Sequence, residues 1–323
     1  MSVSWKVTVG LVAWLVVAAV GASESAWSQS APPRESTPKK SAPKSKVDPA
    51  GRVLLDVRFR ERFETLARGN DRAALARHLD ARPEQLIPLI EAYLNEALEL
   101  FGSTRDGDRI ASLQGFAMRA ALVADTLYRT VLYSDYVTAF LAWSSKERSK
   151  YRGTRRSLDL AARYLTEGKI EPALRAAQSA VEDGQTLGAW PQVAEGLTRV
   201  GEALESLEQP GAAVSNFSTA SVLATSLQLL SLASTSQTGM ARILGDSGRL
   251  PRALNSVEQA IGSGGAWAEI TGDYDPLIAA LDLYSTLQEK AGDVESAAAT
   301  RRRLRDVMAR SSKKPKPRSG QGD

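Results

Sequence analysis

The sequence predicts an all-α chain built as a solenoid of antiparallel helix hairpins. Three observations carry that prediction. Only 6% of residues are aromatic, and alanine and leucine supply most of the apolar content. A rhythm of small residues returns every 40 positions over 161–260. Glycine and proline punctuate the gaps between the helices that this rhythm delimits. β-branched runs are few, which favours helices over sheets.

The ends stand apart from this body. Residues 1–23 read MSVSWKVTVGLVAWLVVAAVGAS, one lysine followed by an uncharged run that ends in small residues. That is the layout of a secretory signal, with Val20-Gly21-Ala22 as the cleavage tripeptide. The rival reading is an uncleaved inner-membrane anchor, although a helix over Val7–Ser23, at about 1.5 Å per residue, falls slightly short of the ~30 Å hydrocarbon core. Either reading exports the body, to the periplasm or beyond. Residues 24–50 are rich in Pro, Ser and Lys with no apolar period, so they read as a disordered linker. Residues 311–323, SSKKPKPRSGQGD, read as a disordered basic tail.

Composition excludes several kinds of chemistry. There is no cysteine, hence no disulfide, no thiol nucleophile and no acylated lipoprotein anchor, and there is one histidine, His78. The expectation is no metal and no cofactor. The net charge of +4 sits in the ends: residues 32–46 carry five Lys/Arg against one acid, and 311–323 carry four against one. The body is therefore mildly acidic, and no specific nucleic-acid partner or small-molecule substrate is expected.

Within the body, AARYLTEGKIEPALRAAQSA (161–180), GEALESLEQPGAAVSNFSTA (201–220) and ARILGDSGRLPRALNSVEQA (241–260) fall into register. Small residues occupy the first slot (Ala161, Gly201, Ala241), the slot twelve on (Ala173, Ala213, Ala253) and the slot seven further (Ala180, Ala220, Ala260). Helices cross closely only where side chains are small, and offsets of three, four and seven share one helical face. Gly168 and Gly248 stand where a C-terminal cap takes positive φ. Pro172 and Pro251 follow in the first turn of the next helix, where a missing N–H costs little. No such hairpin buries its faces alone, so neighbours stack. A fourth unit, 283–304, slips by four residues, with Gly292 in its turn and Asp275-Pro276 opening its first helix; GSGGAWAEITGDYD (262–275) is expected to absorb the slip as a connector. Residues 51–153 read as a divergent helical region, with helices over 88–102 and a buried pair over 109–143, and 154–310 as the repeats proper.

The small–large–small pattern of Ala161, Tyr164, Gly168, Ala173 and Ala180, with Phe217 between Ala213 and Ala220, resembles the tetratricopeptide repeat (TPR) in a long-helix variant. HEAT-type helical pairs are the runner-up. The TPR resemblance implies a right-handed superhelix, a non-catalytic role in binding a protein or extended peptide, and an inner groove lined by first helices. The groove-facing slots that it implies are Arg155, Asp159, Glu195, Thr198, Arg199, Glu202, Arg242, Asp246 and Asp282. Their mixture of arginine and acid suits paired hydrogen bonds to a peptide, and equally suits salt bridges between repeats, worth little each.

Other candidates are weaker. GDSG (245–248) has the local look of a protease nucleophile at Ser247, but such a serine needs a histidine and a buried aspartate on a suitable scaffold, and in register it is an inter-helix turn. A hydrolase is thus the least favoured function. KERSKYRGTRR (146–156) reads as a helix C-terminal turn plus a solvated loop. Together with the tails it leaves an alternative function, a tether to anionic polymer or lipid headgroups.

Overall fold

A computed structural model describes residues 44–48, 51–69, 71–101 and 107–312. The signal segment 1–23, most of the linker and most of the basic tail lie outside the described residues. Among the described residues thirteen α-helices follow one another. Five precede the repeats: α1 (Val57–Arg68), α2 (Arg72–Asp80), α3 (Leu86–Leu100), α4 (Gly107–Tyr128) and α5 (Leu132–Ala142). Four hairpins follow: α6 (Ser145–Thr166) with α7 (Ile170–Leu187), α8 (Trp190–Ser206) with α9 (Pro210–Ser226), α10 (Leu230–Asp246) with α11 (Leu250–Thr271), and α12 (Asp275–Lys290) with α13 (Val294–Ser312).

One turn joins most of these helices. A residue with positive φ follows the helix end at Gly168, Gly188, Glu208, Gln228, Gly248 and Gly292. The next N–H then reaches back across the last turn: Lys169 to Tyr164 O at 2.8 Å, Gln209 to Leu204 O at 2.9 Å, Arg249 to Leu244 O at 2.9 Å. This is the Schellman arrangement, which satisfies carbonyls that the helix leaves without partners. Glycine suits the left-handed position, yet Glu208 and Gln228 occupy it at φ 56°. The turn is therefore imposed by stacking as well as by local preference.

Helices α6, α8, α10 and α12 touch one another in succession; each also packs against its hairpin partner, and α8, α10 and α12 pack against the preceding second helix. They form one layer, and α7, α9, α11 and α13 the other. Small residues permit the approach. Ala161, Ala173, Ala180, Ala213, Ala220, Ala241, Ala253 and Ala260 are all fully buried. Phe217 of α9 shows the logic best. A Cβ on Gly201 of α8 would lie 2.8 Å from its ring, and one on Gly239 of α10 would lie 2.6 Å from it. The ring is a wedge seated between two helices that only glycine brings close enough.

The N-terminal region has a different core, in which Phe59, Phe63, Tyr93, Tyr133, Tyr136, Phe140, Trp143 and Tyr151 bury large rings. That core also takes in Leu187, Ala189 and Leu227 of the repeats, and Trp143 Nε1 donates to Leu187 O at 2.9 Å. Side chains cap helices of this region and the first repeat helix: Asp56 accepts from the α1 amides, Asp71 from Ala74 N, and Ser144 forms a capping box with Glu147 at the start of α6.

Four expectations are corrected. Residues 146–156 are not a C-terminal turn and loop; they open α6 behind the Ser144 cap, and Tyr151 and Thr154 bury on its inner side. The boundary at 153/154 accordingly falls inside a helix. Residues 262–271 are not a connector but the last turns of α11, which lengthens to 22 residues and so absorbs the slip as helix. Gly264 there lies against Leu277, where a Cβ would come within 3.0 Å of its backbone, so the glycines allow packing rather than flexibility. Finally, the C-terminal end of the supposed linker is structured: Val47 bridges Val53, and Ser45 N donates to Ile270 O at 3.0 Å.

Candidate functional site

The layer of α6, α8, α10 and α12 carries a small hairpin that the chain lays on it before its first helix. Asp48 N donates to Arg52 O and Leu54 N to Lys46 O, both at 2.8 Å. Gly51 turns the chain at φ 78°, and Asp48 Oδ1 accepts from Arg52 N at 2.9 Å. Ser45 pins one end: its hydroxyl donates to Glu84 Oε1 at 2.8 Å and accepts from Arg82 Nη2 at 2.7 Å.

This turn aims Arg52 at two first helices, α6 and α8. Its guanidinium forks onto Glu195 of α8, Nη2 at 2.8 Å from Oε1 and Nε at 3.3 Å from Oε2, and Nη2 also reaches Asp159 Oδ1 of α6 at 2.9 Å. The fork is the geometry in which an arginine–carboxylate pair is strongest. Burial works against the charged form of Arg52, but the Glu195 hydrogen bond and charge outweigh it and hold its pKa above the usual arginine value.

Beneath it, Arg155 of α6 pairs with Glu91 of α3 at 3.0 Å and with Glu195 at 3.6 Å. The Glu91 charge leads in raising the Arg155 pKa, against burial. Gln192 donates to Glu91 at 2.7 Å and to the Tyr151 hydroxyl at 3.2 Å, and Tyr151 meets Tyr136 at 2.9 Å. Burial pushes both phenols up, so they stay neutral hydrogen-bonding groups. The acidic floor is thus positioned by a buried network that joins α3, α5, α6 and α8.

Pairs continue along the layer. Arg199 meets Glu202 at 2.9 Å on α8, Arg242 of α10 forks onto Glu205 of α8 at 2.5 and 2.6 Å, and Lys290 of α12 meets Asp246 of α10 at 2.9 Å. Beside the hairpin lies a cavity of about 460 Å³, with Ile87, Pro88, Leu229, Leu230, Leu232 and Trp267 on its apolar side and Arg155, Glu195 and Arg199 on its polar side.

The predicted residues therefore divide. Asp159 and Glu195 meet Arg52, Arg155 meets Glu195, and Arg199 with its partner Glu202 follows along α8. Arg242 and Asp246 lie further along, each spent on a pair between first helices, and Asp282 is exposed on α12, with its backbone carbonyl accepting from Ser285 and Thr286. Thr198 is fully buried; its hydroxyl meets Ser236 Oγ at 2.8 Å and Ala194 O at 3.0 Å, so it ties α8 to α10. Ser247 follows α10 in the turn, with Oγ donating to Ile243 O at 2.7 Å. His78 stacks on Phe59 at 4.2 Å between ring centres, and its Nε2 lies 3.0 Å from Phe59 O. Sequence reasoning missed Arg52, Glu91 and Gln192. Glu91 sits on a helix whose amphipathic pattern is plain, whereas Arg52 has no periodic neighbours to mark it.

No protein-family model matches the chain, and no curated protein matches it. Among solved structures the chain is similar to BtubC (BKLC) from P. vanneervenii, at 16% identity and a TM-score of 0.43, over 83% of this chain and 98% of that one. It is also similar to a Rap protein complexed with competence and sporulation factor, at 18% identity and a TM-score of 0.30, over 79% of this chain and 75% of that one.

Proposed function

We propose that the chain is an exported, non-catalytic scaffold of the long-helix TPR kind that holds a protein or extended peptide on its inner face within an envelope assembly. One observation carries the reading. A short non-helical segment with a forked arginine already rests on that face, so the surface accommodates main chain and side chain of the kind that a ligand would bring. Helix starts at 170, 190, 210, 230 and 250 support the 40-residue repeat, and the signal layout of 1–23 supports export.

Two experiments test it. A reporter enzyme active only outside the cytoplasm, fused after residue 323, gains activity with residues 1–23 present and loses it on their deletion. Affinity capture from envelope extract recovers a partner with the wild-type chain and loses it with Arg199→Glu, while Arg302→Glu on α13 keeps it. No partner above background, or equal recovery by all three chains, sinks the reading.

A second reading has its own support. Arg302, Arg303 and Arg310 line a depression of about 540 Å³ beside Glu269 and Asp306, and the basic tail continues from that helix. A tether to anionic polymer there would weaken steeply with salt and lose most of its affinity on deleting 313–323. Salt-independent binding, or none to polyphosphate or anionic vesicles, removes it.

A further inference from the structure

We infer that the carboxylates of Asp159 and Glu195 form a guanidinium-binding site, that Arg52 is its cis ligand, and that the trans ligand of the groove is a protein segment carrying an arginine followed by aliphatic residues. This deepens the peptide-scaffold reading and rests on it.

The hairpin has the properties of an exchangeable ligand. Its attachments are polar: Arg52 to Glu195 and Asp159, and Ser45 to Glu84, Arg82 and the Ile270 carbonyl. Its apolar attachment among the described residues is slight: Val47 and Val53 are half-buried, Leu54 is 48% exposed, and only Leu55, where the hairpin runs on towards α1, packs against the N-terminal core, at half burial. Polar contacts of this kind trade against an equivalent ligand or water at small net cost, whereas a buried aliphatic anchor does not. The receiving site behaves differently. Glu195 is only 13% exposed and is held from below by Arg155, so it stays in place when Arg52 leaves.

The hairpin also leaves the groove incompletely filled. The cavity next to Arg52 presents Leu229, Leu230, Leu232 and Trp267, and the hairpin borders it with Val53, Leu54 and Leu55 without filling it, Leu54 remaining 48% exposed. A segment that seats an arginine in the acidic trap and an aliphatic side chain in this cavity would make both contacts at once. The chain supplies the arginine in cis and only part of the apolar contact, so a better-matched partner segment outcompetes it.

Competition sets the expected magnitudes. A tethered segment faces its site at an effective concentration on the order of millimolar. A free peptide therefore binds the wild-type chain weakly and tightens when the cis arginine is removed. The probe is a fluorescein-labelled peptide of residues 44–56, KSKVDPAGRVLLD, titrated against the full chain by anisotropy. Arg52→Ala in the protein tightens binding by about 10-fold or more, and Arg→Gln in the peptide loosens it by ~10- to 100-fold, the range for a charge-assisted hydrogen-bonded pair. Glu195→Gln added to Arg52→Ala abolishes the gain. Because the chain has no cysteine, a spin label on Leu54→Cys reports the hairpin alone. It is immobile in the wild-type background and mobile in Glu195→Gln, with far-UV circular dichroism unchanged in both. Unaltered affinity in Arg52→Ala, indifference to the peptide arginine, or an immobile label in Glu195→Gln each overturns the inference. If these fail while Arg199→Glu still loses a captured partner, the scaffold reading stands without the arginine rule.

Discussion

Replacing Gly239 with alanine adds one methyl group to an α-helix, a change that ordinarily stabilises. Alanine is about 1 kcal/mol better than glycine in a helix interior. Here the new Cβ would lie 2.6 Å from Cζ, 2.8 Å from Cε2 and 3.0 Å from Cε1 of Phe217. Comfortable carbon–carbon contact is about 3.5–4.0 Å, so the ring would have to retreat by roughly 1 Å. It has nowhere to go, because on the opposite helix the Gly201 position is equally close to Cδ1 and Cε1. Relief then requires α10 to move away from α9, which places the cost near the top of the ~1–3 kcal/mol range for overpacking. Net of the propensity gain, Gly239→Ala destabilises by about 2 kcal/mol. Gly262 is the control: it is helical, exposed and has nothing within 4 Å of an added Cβ, so Gly262→Ala stabilises by ~0.5–1 kcal/mol. Urea unfolding followed by circular dichroism reads both, as midpoint shifts of opposite sign, the first of roughly 0.5–1 M. Phe217→Leu combined with Gly239→Ala should cost less than the sum of the two single changes. A Gly239→Ala midpoint at or above wild type would show that the ring is not wedged, and the account of why small residues recur would fail with it.

Three further outcomes are expected. Burial leads in lowering the His78 pKa below 6.5, only partly offset by the Phe59 carbonyl. The folded state therefore favours the neutral ring: its contribution is complete above the unfolded value and is lost as pH falls through the lower folded one. Proton NMR of the sole imidazole should place its midpoint under 6.5, and His78→Gln should flatten the wild-type loss of stability between pH 7 and 5; a midpoint at or above 6.5 refutes this. At the left-handed turn positions, Gly248→Ala should cost ~1 kcal/mol and Glu208→Gly should gain a similar amount, read by the same urea titrations, with equal and opposite shifts absent if the Schellman turns relax. Trp143→Phe leaves the Leu187 carbonyl without its indole donor and should cost ~1–3 kcal/mol; an unchanged midpoint would mean that another donor takes its place.

The repeat region was legible because its physics is periodic. Ala161, Ala213 and Ala253 mark helix crossings, and crossings recur wherever hairpins stack, so spacing alone exposes them. Gly168 and Gly248 were legible for a local reason, the cost of a Cβ at positive φ. Glu208 and Gln228 show the limit of that argument: tertiary stacking drives an ordinary residue into the same conformation, and nothing in their identity announces it. The stretch 262–265 misled for the converse reason. A run of glycines reads as a connector when only the backbone is considered, yet Gly264 is needed for its absent side chain, because α12 crosses α11 there. KERSKYRGTRR misled because charge obscured the buried positions Tyr151 and Thr154, whose spacing of three is helical.

The candidate site divides along the same line. Arg155, Asp159, Glu195 and Arg199 were found because they sit at related steps of stacked helices, but position alone does not say whether such a residue meets a ligand or a neighbour. Arg242 and Asp246 meet neighbours, Glu205 and Lys290, and pairs this exposed contribute little to stability. Glu195 is the exception because its partner comes from outside the periodic lattice. Arg52 lies just past the spacer-like stretch 24–50 and ahead of the first helix, and its role depends on a turn closed by Asp48 and Gly51 and on a contact 143 residues away in sequence. A repeat scaffold can specify a groove through its period, but it cannot specify the occupant that way, since the occupant must break the period to reach the face at all. That is why, on the proposed reading, the residue that reports most about binding is one that no helical pattern contains, and why the decisive substitution to make first is Arg52→Ala rather than any change within the repeats.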